Sequence, residues 1–157
     1  MTKVTPCLWF DTEGEDAAKL YTSIFPNSRI THVSHWGEAG PGPAGTVLTV
    51  EFELDGQPFT ALNGGPEFKF NEAVSFQISC ADQEEVDRYW DALGEGGEHG
   101  PCGWLKDKFG LSWQVIPKRL PELLEDPDRA KAQRVMEAML KMVKIEVDEL
   151  ERAAAAT

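Results

Sequence analysis

The side chains best suited to covalent chemistry are His99 and Cys102, three residues apart in the glycine-rich stretch 94–103. An imidazole beside a thiol favours the thiolate, which is the nucleophilic form of cysteine. Cys102, with Trp104 two residues on, is therefore the candidate nucleophile; the plainer alternative makes it a half-buried structural thiol. His32 and His35 are also three apart, but in an extended segment that spacing turns them to opposite faces, so they read as surface or turn residues. Cys7, Cys80 and Cys102 are odd in number and form no C-x-x-C, which suits reduced thiols in a cytoplasm better than a disulfide framework. Two glycine-rich turns come into question for a cofactor. Gly64-Gly65-Pro66 follows a strand but leads on toward another strand, and Gly94, Gly96 and Gly97 follow a helix. Neither makes the strand–turn–helix that dinucleotide and most S-adenosylmethionine sites use, so no cofactor is expected.

Charge narrows the partners. The chain of 157 residues carries a net charge of -12, and 41% of it is hydrophobic, enough for the core of one ordinary domain. Residues 1–100 hold 5 basic and 17 acidic side chains, whereas residues 101–157 hold ten of each. A body so negative repels phosphate backbones and anionic lipid surfaces, so neither nucleic acid nor membrane is expected as a partner. No apolar run approaches the roughly 20 residues of a bilayer span. The N-terminus enters a strand-like segment with no basic stretch ahead of an apolar one, so no secretory leader is expected and the reading is a cytoplasmic protein.

The elements that must position these residues repeat. Residues 4–10 alternate as a strand, Leu8 and Phe10 on one face, Cys7 and Trp9 on the other. Thr12-Glu13-Gly14-Glu15 then has the form of a capping box, and Ala17, Leu20, Tyr21 and Ile24 make a helical stripe that Pro26 and Asn27 end. Residues 74–80, the capping analogue Asp82-Gln83-Glu84-Glu85 and the stripe Val86, Tyr89, Trp90, Leu93 repeat the series at an offset of 68 or 69. Strand-like segments follow each helix. They are residues 29–36, 46–54 and 59–62 in the first half, with 37–45 as an irregular Gly/Pro/Ala link. In the second half they are 104–108 and 112–116, after the turn region 94–103. Each half reads β-α-β-β-β, an α+β fold.

Beyond these modules, Asp126-Pro127 reads as an N-cap with proline at the first helical position, and no helix breaker follows until about Arg152. One helix is expected there, with Ala132, Val135, Met136, Met139, Leu140, Val143, Val147 and Leu150 as its apolar stripe. That stripe packs on its own domain or in part on a second chain. The acidic residues of 146–151 would fall at the unfavourable C-terminal end of this helix, and Ala153–Ala156 would fray.

The paired modules resemble the vicinal oxygen chelate superfamily of glyoxalases, bleomycin-resistance proteins and extradiol dioxygenases. Leu8-Trp9-Phe10-Asp11, Leu62-Asn63-Gly64-Gly65-Pro66, Cys102-Gly103-Trp104 and above all the run Asp107-Lys108-Phe109-Gly110-Leu111-Ser112-Trp113-Gln114 are similar to its PhnB-like branch, whose members often carry a 3-demethylubiquinone 3-methyltransferase label. The resemblance implies one domain over residues 1–118, with modules at about 3–66 and 72–118 curled into a cup, followed by a helical extension at 119–157. It also implies a homodimer. Superfamily enzymes hold a divalent metal through one residue from the first and one from the last strand of each module. Strand parity sets those positions at Cys7, Thr60, Ser75 and Gln114, with Asn63 also able to reach inward. A thiol, two hydroxyls and a neutral amide cannot neutralise a dication, so no metal is expected.

The cup is then lined by Trp9, Gln77, Trp104 and Gln114, with Cys7, Thr60, Asn63 and Ser75. Aromatic faces and neutral amides suit a small, flat or apolar ligand with a few hydrogen-bonding groups, unless the tryptophans simply fill the cup as core. Trp90 and Trp113 are core by periodicity. The expectation is metal-free binding of a small organic ligand. The alternatives are a lyase, dioxygenase or methyltransferase-labelled enzyme acting on a small metabolite, and a non-catalytic dimer acting through protein contacts.

Overall fold

Alternation of Leu8 and Phe10 with Cys7 and Trp9 makes β1 (Cys7–Phe10), whose two apolar side chains are buried while Cys7 stays exposed. The computed structural model describes residues 3–157. These divide into two compact units, one ending at Phe70 and one spanning Asn71–Thr157. The first contains β1, α1 (Gly14–Ile24), β2 (Arg29–His35), β3 (Val47–Leu54) and β4 (Gln57–Asn63). The second contains β5 (Ser75–Cys80), α2 (Gln83–Gly94), β6 (Glu98–His99), β7 (Trp104–Lys106) and β8 (Ser112–Pro117), followed by α3 (Arg119–Leu124), α4 (Arg129–Met139) and α5 (Val147–Ala155). The sheet orders are β1-β4-β3-β2 and β5-β8-β7-β6. In both, the first strand lies parallel to the last and the other neighbours are antiparallel. Two βαβββ modules of one topology are therefore present, as the repeat predicts. The two-residue β6 lies inside the stretch expected to be a turn.

Each module buries its helix stripe on its sheet. Ala17, Ala18 and Tyr21 of α1 are buried, with Tyr21 tilted against Phe52 at a centroid distance of 6.3 Å. Val86, Tyr89, Trp90 and Leu93 of α2 are buried beside Trp113 and Val115 of β8. The helix starts differ from one another. Asp82 caps α2 by accepting the Glu85 N–H at 3.0 Å, and Glu85 reaches back to the Ala81 N–H. The capping box expected at Thr12 does not form. The Gly14 N–H is instead accepted by Asn63 Oδ1 at 2.8 Å, from β4, and a Cβ on Gly14 would lie 2.7 Å from that oxygen. Glycine lets strand β4 cap the helix directly.

The single long C-terminal helix expected from the stripe is three helices. Asp128, two residues later than expected, caps α4 through the Lys131 N–H. The chain leaves helical form after Met139, and in the break Gln83 at the start of α2 holds two of its backbone groups: Gln83 Nε2 donates to Ile145 O at 3.1 Å, and Val147 N–H donates to Gln83 Oε1 at 2.7 Å. Ile145 is fully buried in a cluster with Leu120, Leu123, Val135, Leu150 and Ala154. Restarting the helix at Val147 puts Asp148 and Glu149 in its first turn, where acids are favourable, instead of at a C-terminus. The alanine tail is held to Ala155: Arg134 donates to Ala153 O at 3.0 Å and Ala154 O at 2.9 Å. Leu140 and Val143, expected in the stripe, are exposed.

Gln83→Leu keeps the volume but removes both bonds, leaving the Val147 N–H and Ile145 C=O without that partner. A loss of about 2–3 kcal/mol is expected in urea unfolding. Amide exchange at Val147 accelerates while amides of β1–β4 keep their protection; equal acceleration throughout would contradict the clamp.

Candidate functional site

The β7–β8 turn is fixed by one buried carboxylate. Asp107 is 2% exposed; its Oδ1 accepts the Phe109 and Leu111 N–H groups at 2.8 and 3.1 Å, and its Oδ2 accepts the Trp113 indole N–H at 2.9 Å. A carboxylate accepting three N–H groups satisfies the burial condition that an isolated charge would violate. With the hairpin so closed, Trp104 on β7 is in register with Gln114 on β8, and Gln77 on β5 is in register with Gln114 from the other side. Gln114 Nε2 donates to Ser75 Oγ at 2.9 Å, which leaves its carbonyl oxygen as an acceptor. Trp113 and Val115 alternate with these residues and are buried.

On this face lies a pocket of about 480 Å³ that gathers Gln77, Trp104, Gln114 and Cys102 from the modules with Leu124 and Met139 from the extension. A second cavity of about 400 Å³ shares Trp104 as a wall and adds Glu98, Lys106 and Ser112. Ser112 is 1% exposed, and its Oγ is a buried polar atom with no hydrogen-bond partner among the described residues.

In the first unit the expected residues are engaged otherwise. Cys7 and Thr60 are in register on β1 and β4. Trp9 donates its indole N–H to Gly65 O at 2.9 Å and meets Phe68 edge-on at 5.0 Å. Asn63 is 9% exposed and uses both ends of its amide: besides capping α1, Nδ2 donates to Val47 O. It borders a cavity of about 490 Å³ with Trp36, Asp11, Glu15 and Asp16.

The thiol chemistry does not assemble. His99 lies on β6, not in a turn; its ring stacks on Trp90 at 4.3 Å and its Nε2 is bonded to Trp90 O at 3.1 Å. Cys102 Sγ donates to Met139 O at 3.6 Å, so the two side chains are committed elsewhere. Cys102 holds a left-handed backbone, φ 58°, because its N–H and that of Gly103 donate to Met142 O and Val143 O. His32 and His35 on β2 are exposed, as expected.

Nor do the donors suit a metal. Partial desolvation by its neighbours raises the Cys7 thiol above its ordinary value although the residue is exposed, keeping it a neutral thiol, and the Gln114 amide is turned to Ser75. Cys7, Thr60, Ser75 and Gln114 therefore do not fit a divalent cation. Among the described residues no three His, Cys, Asp or Glu side chains gather to hold one. Gly64 and Gly65 follow β4 without leading into a helix, and Gly96 and Gly97 follow α2. Among the described residues no helix is long and apolar enough to cross a membrane.

Residues 2–116 match the profile of a family described as 3-demethylubiquinone-9 3-methyltransferase. Among solved structures, the PhnB protein from Bacillus cereus is 35% identical over 74% of this chain and 99% of its own, with a TM-score of 0.68. Protein PA1353 from Pseudomonas aeruginosa is 20% identical over 75% of this chain and 98% of its own, with a TM-score of 0.61. The fosfomycin resistance protein FosX from Mesorhizobium loti is 12% identical over 74% of this chain and 92% of its own, with a TM-score of 0.53, a likeness of fold alone. A search of curated proteins gave no match.

The thiols give a pH test. Burial, with the Glu85 carboxylate nearby, pushes Cys80 up to about 12. An unfolded thiol ionises near pH 8.5, so above about pH 9 the unfolded state binds fewer protons than the folded one and stability falls as pH rises toward 12. Urea midpoints measured from pH 8 to 10.5 are expected to fall less steeply in Cys80→Ala than in the parent; parallel curves would contradict the assignment.

Proposed function

We propose, because the chain belongs to the 3-demethylubiquinone-9 3-methyltransferase family, the PhnB-like branch of the vicinal oxygen chelate superfamily, that it binds a small organic molecule in the pocket of its second unit, without a metal. The observation that carries this reading is the convergence of Gln77, Trp104 and Gln114 on one cavity of about 480 Å³. That volume is in the range of small-molecule sites, which pair apolar walls with a few placed polar groups. Trp104 offers a flat face, Gln114 an acceptor and Gln77 both a donor and an acceptor. Binding is favoured over thiol catalysis because Cys102 borders the pocket without a base: the nearest imidazole in sequence, His99, is tied to Trp90.

The same reading places the protein in the cytoplasm as a homodimer. Its free cysteines and the exposed Leu140 and Val143 support that part. Sedimentation equilibrium at micromolar concentration returns twice 17.4 kDa on this view, and a species of 17.4 kDa refutes the dimer.

The binding test uses an unbiased panel of small aromatic and aliphatic compounds followed by tryptophan fluorescence. At least one compound is expected to quench or shift emission saturably, and Trp104→Ala with Gln77→Ala is expected to weaken it tenfold or more, about 1.4 kcal/mol. A panel without any saturable response overturns the reading.

A further inference from the structure

We infer that the pocket takes organic acids: molecules with an apolar body and one carboxylate, the carboxylate seated by Lys118 and Ser79. This rests on the binding function proposed above and goes beyond it by naming the ligand class. The first observation is charge. In a chain of net charge -12, the residues lining this pocket include no Asp or Glu and one Lys. The nearest cation in sequence, Arg119, is taken by Glu151 and by Glu122 at 3.3 Å. Among the described residues Lys118 makes no ion pair. Its backbone N–H donates to Cys80 O, which brings it beside Ser79 at the ends of the paired strands β8 and β5. An ammonium and a hydroxyl there are the donors a carboxylate needs.

The second observation is where the apolar wall comes from. Leu120, Pro121, Leu124 and Met139 line the pocket together with the sheet residues, and all four belong to α3 and α4. The family match ends at residue 116, and the Bacillus cereus PhnB protein is covered over 99% of its length by 74% of this chain. Lys118 and the apolar wall thus lie beyond the matched region. Together they make a pocket that combines one ammonium with an apolar floor, of a size for roughly ten to twenty heavy atoms by the volumes of small-molecule sites. A ligand of this kind lays its body against Leu124 and Met139, with Trp104 and the two glutamines across from it.

The experiment titrates the full chain with 4-phenylbutanoate, its primary amide and 4-phenylbutylamine, followed by tryptophan fluorescence and by the Trp104 indole N–H resonance in 15N spectra. The acid is expected to bind at least threefold more tightly than the amide, and the amine most weakly. That margin matches a partly exposed charge contact of about 0.7 kcal/mol or more. Lys118→Glu, an exposed position, is expected to remove the preference for the acid while leaving amide binding within twofold. Added salt weakens the acid alone. Met139→Trp, filling the floor, is expected to weaken all three compounds. Equal binding of acid and amide in the parent protein overturns the organic-acid class but leaves the binding pocket standing. No response of the Trp104 resonance to any of the three, together with a silent compound panel, overturns both.

Discussion

Three hydrogen bonds to one carboxylate organise the second module. Asp107 is buried, and without the N–H groups of Phe109, Leu111 and Trp113 its charge would be intolerable in that position. Their convergence ties a turn, a strand start and a core indole to one point. With the turn closed, β7 and β8 have only one register, and Trp104 faces Gln114 across it. Every later feature of the pocket inherits that register, because a slip of β8 by one residue would turn Gln114 into the core and Trp113 out of it.

The repeated modules were legible because their signals are local. Alternation in β1 and β5 and the helical stripes of α1 and α2 each lie within a dozen residues, and the offset between copies made one reading check the other. The failures share a cause as well. Thr12 has the form of a capping residue, yet the cap on α1 comes from Asn63, forty-nine positions away. The apolar stripe after Asp128 continues through residue 150, yet the helix ends at Met139, and Gln83, more than sixty positions back, holds Ile145 and Val147 in the break before it resumes. A pattern within a window cannot report a partner outside it. The roles of Asn63 and Gln83 differ from what residue type suggests for the same reason: an amide that binds backbone groups is indistinguishable in sequence from one that waits for a ligand.

The candidate site was legible in part. Gln77, Trp104 and Gln114 meet at one pocket, and Ser75 joins them through Gln114. Strand parity is sufficient for that, since residues two apart on paired strands share a face. Lys118 and Met139 were out of reach, because nothing in their local pattern says that the extension folds back over the sheet. The motif run from Asp107 to Gln114 was visible as a resemblance, but its physical content, a carboxylate collecting three donors, appears only in three dimensions.

The extension also carries its own interior. Leu120, Leu123, Val135, Ile145, Leu150 and Ala154 form a cluster among themselves, and among the described residues the partly buried hydrophobics packed against it are Ile116 of the sheet with Leu124, Met139 and Met142 of the extension. Such an arrangement uncouples two kinds of change. Substitutions that reshape α3 and α4 act on a core separate from the one that holds Trp113 and Val115, so the lid over the sheet can diverge while the strands beneath keep their sequence. A scaffold shared across many chemistries can in this way acquire a new preference by addition at its end, with no rearrangement of the sheet that was already there.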